Sequence, residues 1–262
     1  VPLVDRDSDQ DGFLDLHEEQ AGTDPYDSNS KPGLDYGLVA HYPFDGNASD
    51  MSGNGNDGTV NGATLGADRH DAAGKAYSFD GTNDHIAFNF DSSNDNTFTW
   101  SFWLKDNSSN GDIRRWLTTR VVLNQSATDG APLTLREAYG KFEINDDVGW
   151  VQSANTNFWK DGNWHLVTMT ADGSVAKVYS DSLLVIQTAS TIDPEFGLFA
   201  GGYYTNNPSR PEYFYGMMDE IRIYDRALSA AEVAALYQLE STPPSGNGAP
   251  PPNQTPSDIQ LS

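Results

Sequence analysis

The sequence predicts an all-β domain, a sandwich or barrel, over most of its 262 residues. Three observations lead there. Short runs of aromatic and β-branched residues recur through 34–240. Turn pairs separate them: Asp45-Gly46, Asn54-Gly55, Asp57-Gly58, Asp80-Gly81, Asp129-Gly130, Asp161-Gly162 and Asp172-Gly173. One segment alone, Ala230–Leu239, stands out as helical. Many short strands at this spacing mean stacked or closed antiparallel sheets.

The elements follow in order. Residues 1–33 are acidic and turn-rich. Expected strands are Leu38–Phe44, Ala76–Phe79, His85–Phe90, Phe98–Leu104, Leu117–Leu123, Lys141–Ile144, Trp164–Thr170, Val175–Tyr179, Leu183–Thr188, Phe196–Ala200 and Tyr213–Tyr224. Period-two alternation puts Phe98, Trp100, Phe102 and Leu104 on one core face. Ser229 and Glu232 have capping-box spacing, with Leu228 and Val233 at staple positions, so the helix is expected to seal one end of the β-domain. Residues 241–262 hold six of the 14 prolines and no aromatic, which marks 241–256 as an extended linker.

Hydrophobic residues are 37% and aromatics 11% of the chain, enough for one real core among long polar loops. The net charge of −23 disfavours nucleic acid and anionic membranes, whose phosphates would be repelled. Cysteine is absent, which excludes disulfides, cysteine nucleophiles and cysteine metal sites. No apolar run reaches about 18 residues, so no membrane insertion is expected. The chain opens at Val1 without a signal peptide and reads as a monomeric piece of a longer, secreted or cell-surface protein.

Residues 7–18, DSDQDGFLDLHE, match a twelve-residue calcium loop in full. Asp7, Asp9 and Asp11 stand at positions 1, 3 and 5, Gly12 at 6, Asp15 at 9 and Glu18 at 12. Phe13, at position 7, would give its carbonyl. A hard cation needs six to eight converging oxygens, and alternate side chains supply them only if the chain coils tightly at the glycine. The alternative is a solvated acidic tail. The segment DSDQDGFLDLHEEQAGTDPYDSN resembles a thrombospondin type-3 repeat, which implies extracellular Ca2+, with Asp5, Asp24 or Asp27 as extra ligands.

Four further segments arrive in order: GLVAHYPFDGNASDMSGNGNDGTVNGAT, GKAYSFDGTNDHIAF, WHLVTMTADGSVAKVYSD and GMMDEIRIYDRALSAAEVAALY. Together they resemble a bacterial laminin-G-like, concanavalin-A-like domain over about 36–240. The resemblance implies a two-sheet antiparallel jelly-roll sandwich that binds glycans, peptides or proteins, often with one structural calcium. Mapped here, that ion would draw on Asp45, Asn47, Asp80, Gly81, Asp84, Asp219 and Glu220. The alternative is that Asp45, Asp80 and Asp84 only shape turns. The sequence departs from the family at YSDSLL, where a YVDG-like turn is usual.

Glycan recognition needs an aromatic platform and planar polar groups. Candidates are Trp116, Trp150, Trp159, Tyr203 and Tyr204, with Arg114, Arg115, Arg120 and Arg136, most of them in the stretch 111–159 that departs most from the family motifs. The arginine forks suit a carboxylate, whether of an acidic glycan or a peptide C-terminus. No strand-borne E-x-D-x-E and no G-x-S-x-G occurs, so no enzyme is expected. The last ten residues resemble the opening of a cadherin-like repeat. The expected role is a calcium-dependent ligand-binding module of a bacterial adhesin, linked to neighbouring repeats of the same chain. The alternatives are an accessory carbohydrate-binding module of a polysaccharide-degrading enzyme and a structural spacer.

Overall fold

The computed structural model describes residues 6–11, 13, 15–88, 96–108, 114–119, 134–145, 150–154, 159–189, 198–201 and 212–243. The chain divides into two compact units, 39–228 and a second made of 1–38 with 229–262. The helical segment therefore groups with the N-terminal residues and not with the β-domain.

The large unit is two stacked antiparallel sheets, as expected. The first contains β1 (Leu38–Tyr42), β3 (Thr64–Ala67), β4 (Ala73–Asp80), β6 (Thr97–Asp106), β11 (His165–Asp172), β12 (Val175–Ser180), β13 (Leu183–Ala189) and β15 (Tyr215–Tyr224). Its order is β13-β12-β11-β6-β15-β4-β3, with β1 paired to β15. The second contains β2 (Gly58–Asn61), β5 (His85–Phe88), β7 (Arg114–Thr119), β8 (Thr134–Ala138), β9 (Lys141–Asn145), β10 (Trp150–Gln152) and β14 (Leu198–Ala200), in the order β10-β9-β8-β7-β14-β5-β2. The sequence patterns missed β2, β3, β8 and β10, which are short edge or polar strands. Among the described residues no helix is long and apolar enough to cross a membrane.

Alternation builds the core between the sheets. Phe98, Trp100, Phe102 and Leu104 face inward from β6, beside Val167, Met169 and Ala171 of β11. Ile86, Phe88, Leu117, Leu135, Phe142, Ile144 and Leu198 meet them from the second sheet. Each of the larger of these side chains contributes roughly 1.5–3 kcal/mol on burial.

The other face of β6 is buried too. Thr99, Ser101 and Trp103 are closed off from water, as are Leu166 and Thr168 of β11 and Asp219 and Tyr224 of β15. The hydroxyls of Thr99, Ser101 and Thr168 are satisfied in place. Thr99 Oγ1 donates to Arg226 O and accepts from Leu228 N, and the Ser101 and Thr168 hydroxyls pair. The centre of the first sheet's outer face is thus unavailable to a ligand.

The YSDSLL hairpin forms without a glycine. Asp181 and Ser182 both take left-handed backbone, φ 48° and 67°, to close β12 onto β13. Asp181 compensates by accepting Leu166 N and bonding His165 Nδ1 at 2.6 Å, while His165 Nε2 lies 3.1 Å from Asp161. Burial lowers the His165 pKa, but the two aspartates outweigh it and the net shift is upward. A raised histidine stabilises the fold fully below its unfolded value and loses that contribution as pH rises through the folded one. His165→Gln is therefore expected to cost about 1–2 kcal/mol near pH 6 and less near pH 9, read by urea unfolding. A pH-independent difference would contradict the charged clamp.

In the small unit, α1 (Asp15–Ala21) begins inside the acidic loop, at its ninth position. The second helix, α2 (Ala230–Ser241), begins at the expected place and runs two residues past Leu239. Ser229 Oγ accepts Glu232 N, and Glu232 Oε2 accepts Ser229 N, so the capping box is formed.

Candidate functional site

Two places carry chemistry. The first is the acidic loop. Asp7, Asp9 and Asp11 each bring a carboxylate oxygen to within 4.8 Å of the others. Asp9 Oδ1 accepts Asp11 N, and Asp11 Oδ1 accepts Phe13 N, so the side chains fix their own loop. Gly12 lies outside the described residues, and the Phe13 side chain is buried.

Glu18 is fully buried, and neither of its oxygens accepts a hydrogen bond. Asp9 Oδ2 is likewise buried without a hydrogen-bond partner. Burial first, then the charges of Asp11, Asp9, Asp15 and Asp7, push the Glu18 carboxyl up to about 7. A sequestered carboxylate that accepts nothing and faces like charges is costly unless a cation joins it. Hard oxygen donors of this number and type fit calcium.

Glu18 is not among the carboxylates that meet within 4.8 Å, and neither is Asp15. The two Asp15 oxygens accept Ser8 N and Ser8 Oγ at 2.7 Å, and Arg6 Nε lies 3.6 Å away. Position 9 therefore braces the loop. Asp24 and Asp27 close local turns onto Tyr26 and Asn29, and Asp5 lies outside the described residues.

The seven residues expected to hold a second calcium in the sandwich are not brought together. Asp45 pairs with Lys75 at 2.9 Å, and Asn47 accepts Ser49 N. Asp80 accepts Thr82 N, and Asp84 accepts Asp80 N across the same turn, which Gly81 completes. Asp219 and Glu220 are held by Arg69, His41 and Arg222. Turn geometry and ion pairs engage each of these acidic and amide side chains.

The second place is the outer face of the seven-stranded sheet. Register aligns Arg115 (β7), Arg136 (β8), Glu143 (β9) and Gln152 (β10) in one row. Arg136 Nε and Nη2 bind Glu143 Oε2 at 2.9 and 2.8 Å, and Gln152 Nε2 donates to Glu143 Oε1. Arg115 Nε donates to Glu212 at 2.6 Å, and Arg136 Nη1 lies 3.4 Å from the same carboxylate. Two guanidinium groups thus meet two carboxylates, and the forks of Arg115 and Arg136 are already engaged. Arg114 donates to Tyr213 O.

Trp150 stands two residues before Gln152 on edge strand β10, opposite Asn145 and on the same face as the row. The Arg136 guanidinium packs 3.3 Å from its ring centroid, and the side chain stays 39% exposed. Exposed Gln152 lies two residues on, with Lys141 Nζ donating to its amide oxygen. An aromatic plate beside fixed amide and ammonium groups suits sugar rings and hydroxyls.

The other expected tryptophans are core. Trp116 and Trp159 are fully buried, packed with Phe142 at 4.8 and 4.0 Å between centroids. A bulge between Arg115 and Leu117 turns both Trp116 and Leu117 inward. Arg120, Tyr203 and Tyr204 lie outside the described residues. Sequence reasoning missed Glu143, Gln152 and Glu212. The available signal was the Tyr139-Gly140 pair. Both residues have positive φ, so this two-residue turn sets Arg136 opposite Glu143.

A buried acid elsewhere tests for catalysis. Burial and then Asp106 push Glu137 up to about 7 against the pull of Lys160, 2.7 Å away. Glu137 is fully buried and paired with Lys160.

A laminin G-type family model, described as the concanavalin A-like lectin/glucanases superfamily, matches residues 80–234. Among solved structures, domain 4 of AbnA, a GH43 extracellular arabinanase from Geobacillus stearothermophilus in complex with arabinotriose, aligns at TM-score 0.57 and 22% identity over 77% of this chain and 98% of that one. The binding domain of Paraclostridial Mosquitocidal Protein 1 aligns at 0.61 and 18% over 79% of this chain and 53% of that one. The binding domain of botulinum neurotoxin DC in complex with SialylT aligns at 0.58 and 10%, over 79% and 52%. The chain spans about half the length of these two toxin chains. No curated protein matches it.

Proposed function

Because the chain belongs to the concanavalin A-like lectin/glucanase superfamily, we propose that it is a non-catalytic, extracellular glycan-binding module. Its ligand is a neutral oligosaccharide held on the outer face of the seven-stranded sheet, and calcium rigidifies its N-terminal loop. The observation that carries the reading is Trp150, exposed, stacked on Arg136 and aligned with Gln152. The pairing of Arg115 and Arg136 with Glu212 and Glu143 favours an uncharged ligand over an acidic one. At the loop, Asp7, Asp9, Asp11 and Glu18 would hold the calcium, which would supply the missing positive charge and stiffen the chain. A tenfold excess of calcium over its dissociation constant would stabilise the fold by about 1.4 kcal/mol.

Two parents suit such a module, a surface adhesin and a polysaccharide-degrading enzyme. The arabinanase domain, matched over 98% of its length, favours the second. The test is a glycan array read in calcium with wild type and Trp150→Ala. Wild type is expected to retain neutral glycans, and the variant to lose at least about tenfold in affinity, the equivalent of 1.4 kcal/mol. Equal binding by both proteins, or none by wild type, would remove the reading.

A further inference from the structure

The acid pair Asp219-Glu220 sits on β15, where a bulge interrupts the register with β6 between Asp219 and Arg222. Glu220 takes a left-handed backbone there, φ 49°, which a non-glycine residue adopts rarely and at a cost. The bulge aims two neighbouring carboxylates to one side of the sheet. Asp219 is 1% exposed. Buried neighbouring carboxylates demand positive charge from somewhere.

Positive charge comes from the chain itself. Arg69, from the turn between β3 and β4, places Nη1 on Asp219 Oδ2 and Nη2 3.7 Å from Glu220 Oε1. His41 Nε2 lies 2.7 Å from Glu220 Oε2, and Arg222 Nη2 lies 3.5 Å from the same oxygen. Arg69 is locked in position: its guanidinium carbon lies 5.4 Å from the Trp103 ring centroid, and its side chain is only 11% exposed. The remaining acids expected at a sandwich ion are used locally, Asp45 by Lys75 and Asp80 and Asp84 by their own turn.

We propose that Arg69, supported by His41 and Arg222, stands in place of the divalent ion at this strand bulge, so that the sandwich is calcium-independent and any calcium acts at the Asp7–Glu18 loop alone. A planar guanidinium spans two carboxylates as a cation would, but it is covalently tethered and insensitive to chelators. The half concerning the loop rests on the calcium reading proposed above.

The experiment uses the full chain and its Asp9→Asn/Glu18→Gln variant. Calcium binding is measured by equilibrium dialysis, and sandwich unfolding in chelator and in about 5 mM calcium, above the range of extracellular modules. The variant is expected to bind no calcium, and its sandwich to unfold at the same midpoint in both buffers. If the variant still binds about one ion per chain, and Asp219→Asn abolishes that binding, the proposal is overturned. If wild type binds no calcium, the loop reading fails while a chelator-insensitive sandwich still supports Arg69 as counter-ion. Arg69→Met is expected to shift the sandwich unfolding constant at least about tenfold towards unfolding, and Arg69→Met/Asp219→Asn to recover most of that shift. An unshifted Arg69→Met would also overturn it.

Discussion

Without calcium above neutral pH, Glu18→Gln is expected to be more stable than wild type, and in excess calcium the order is expected to reverse. The reason lies in where the carboxylate sits. Glu18 is fully buried and accepts no hydrogen bond, and burial with four aspartates raises its carboxyl from 4.5 to about 7. A carboxyl raised on folding favours its protonated form in the folded state. Ionising it therefore removes stability as pH climbs from about 4.5 to about 7, and the full cost, about 3 kcal/mol, holds above that. Glutamine keeps the shape without the charge, so the metal-free variant gains up to that amount near pH 8 and nothing near pH 4. Bound calcium would reverse the balance, because wild type offers it an anionic oxygen ligand that glutamine cannot supply. Calorimetry in chelator and in calcium reads both signs. A variant less stable than wild type in chelator near pH 8 would show that Glu18 is paired within the protein.

Arg136→Met is expected to destabilise the sandwich by about 3–5 kcal/mol, because it leaves a buried carboxylate without its cation. Glu143 is 2% exposed and takes two of the Arg136 nitrogens, and Glu212 takes the third. The second substitution in Arg136→Met/Glu143→Gln removes the stranded charge and should recover most of the loss. The double variant should still bind glycan more weakly than wild type, since Trp150 has lost the guanidinium on its ring. Urea unfolding of the three proteins decides the point. A single-variant loss within about 1 kcal/mol would mean that the row is a surface ornament rather than the frame of a site.

What the sequence disclosed followed from local periodicity. Phe98 to Leu104 alternates cleanly, and its apolar members enter the core as expected. The Ser229–Glu232 cap needs only four adjacent residues and is formed. The complete spacing of Asp7, Asp9 and Asp11 likewise put their carboxylates in one place. What the sequence concealed depends on pairs far apart in the chain. Arg69 meets Asp219 across 150 positions, and nothing local marks either as the other's partner. Trp116 and Trp150 look alike as letters. A bulge turns the first into the core, and an edge strand of three residues leaves the second in water. The arginines near 115 and 136 looked free to hold a ligand, because Glu212 lies about a hundred residues from the first of them.

The proposed recognition turns on Trp150, and its indole N–H would report directly on it. The measurement is a two-dimensional nitrogen–proton spectrum of the calcium-loaded chain, followed during titration with arabinotriose and with the neutral glycans an array selects. The Trp150 indole and the Gln152 amide are expected to shift together and saturably, while the buried Trp116 and Trp159 indoles stay fixed. Saturable shifts that leave Trp150 unmoved and fall instead on the exposed Leu183 and Leu184 hairpin would contradict the assignment of the face.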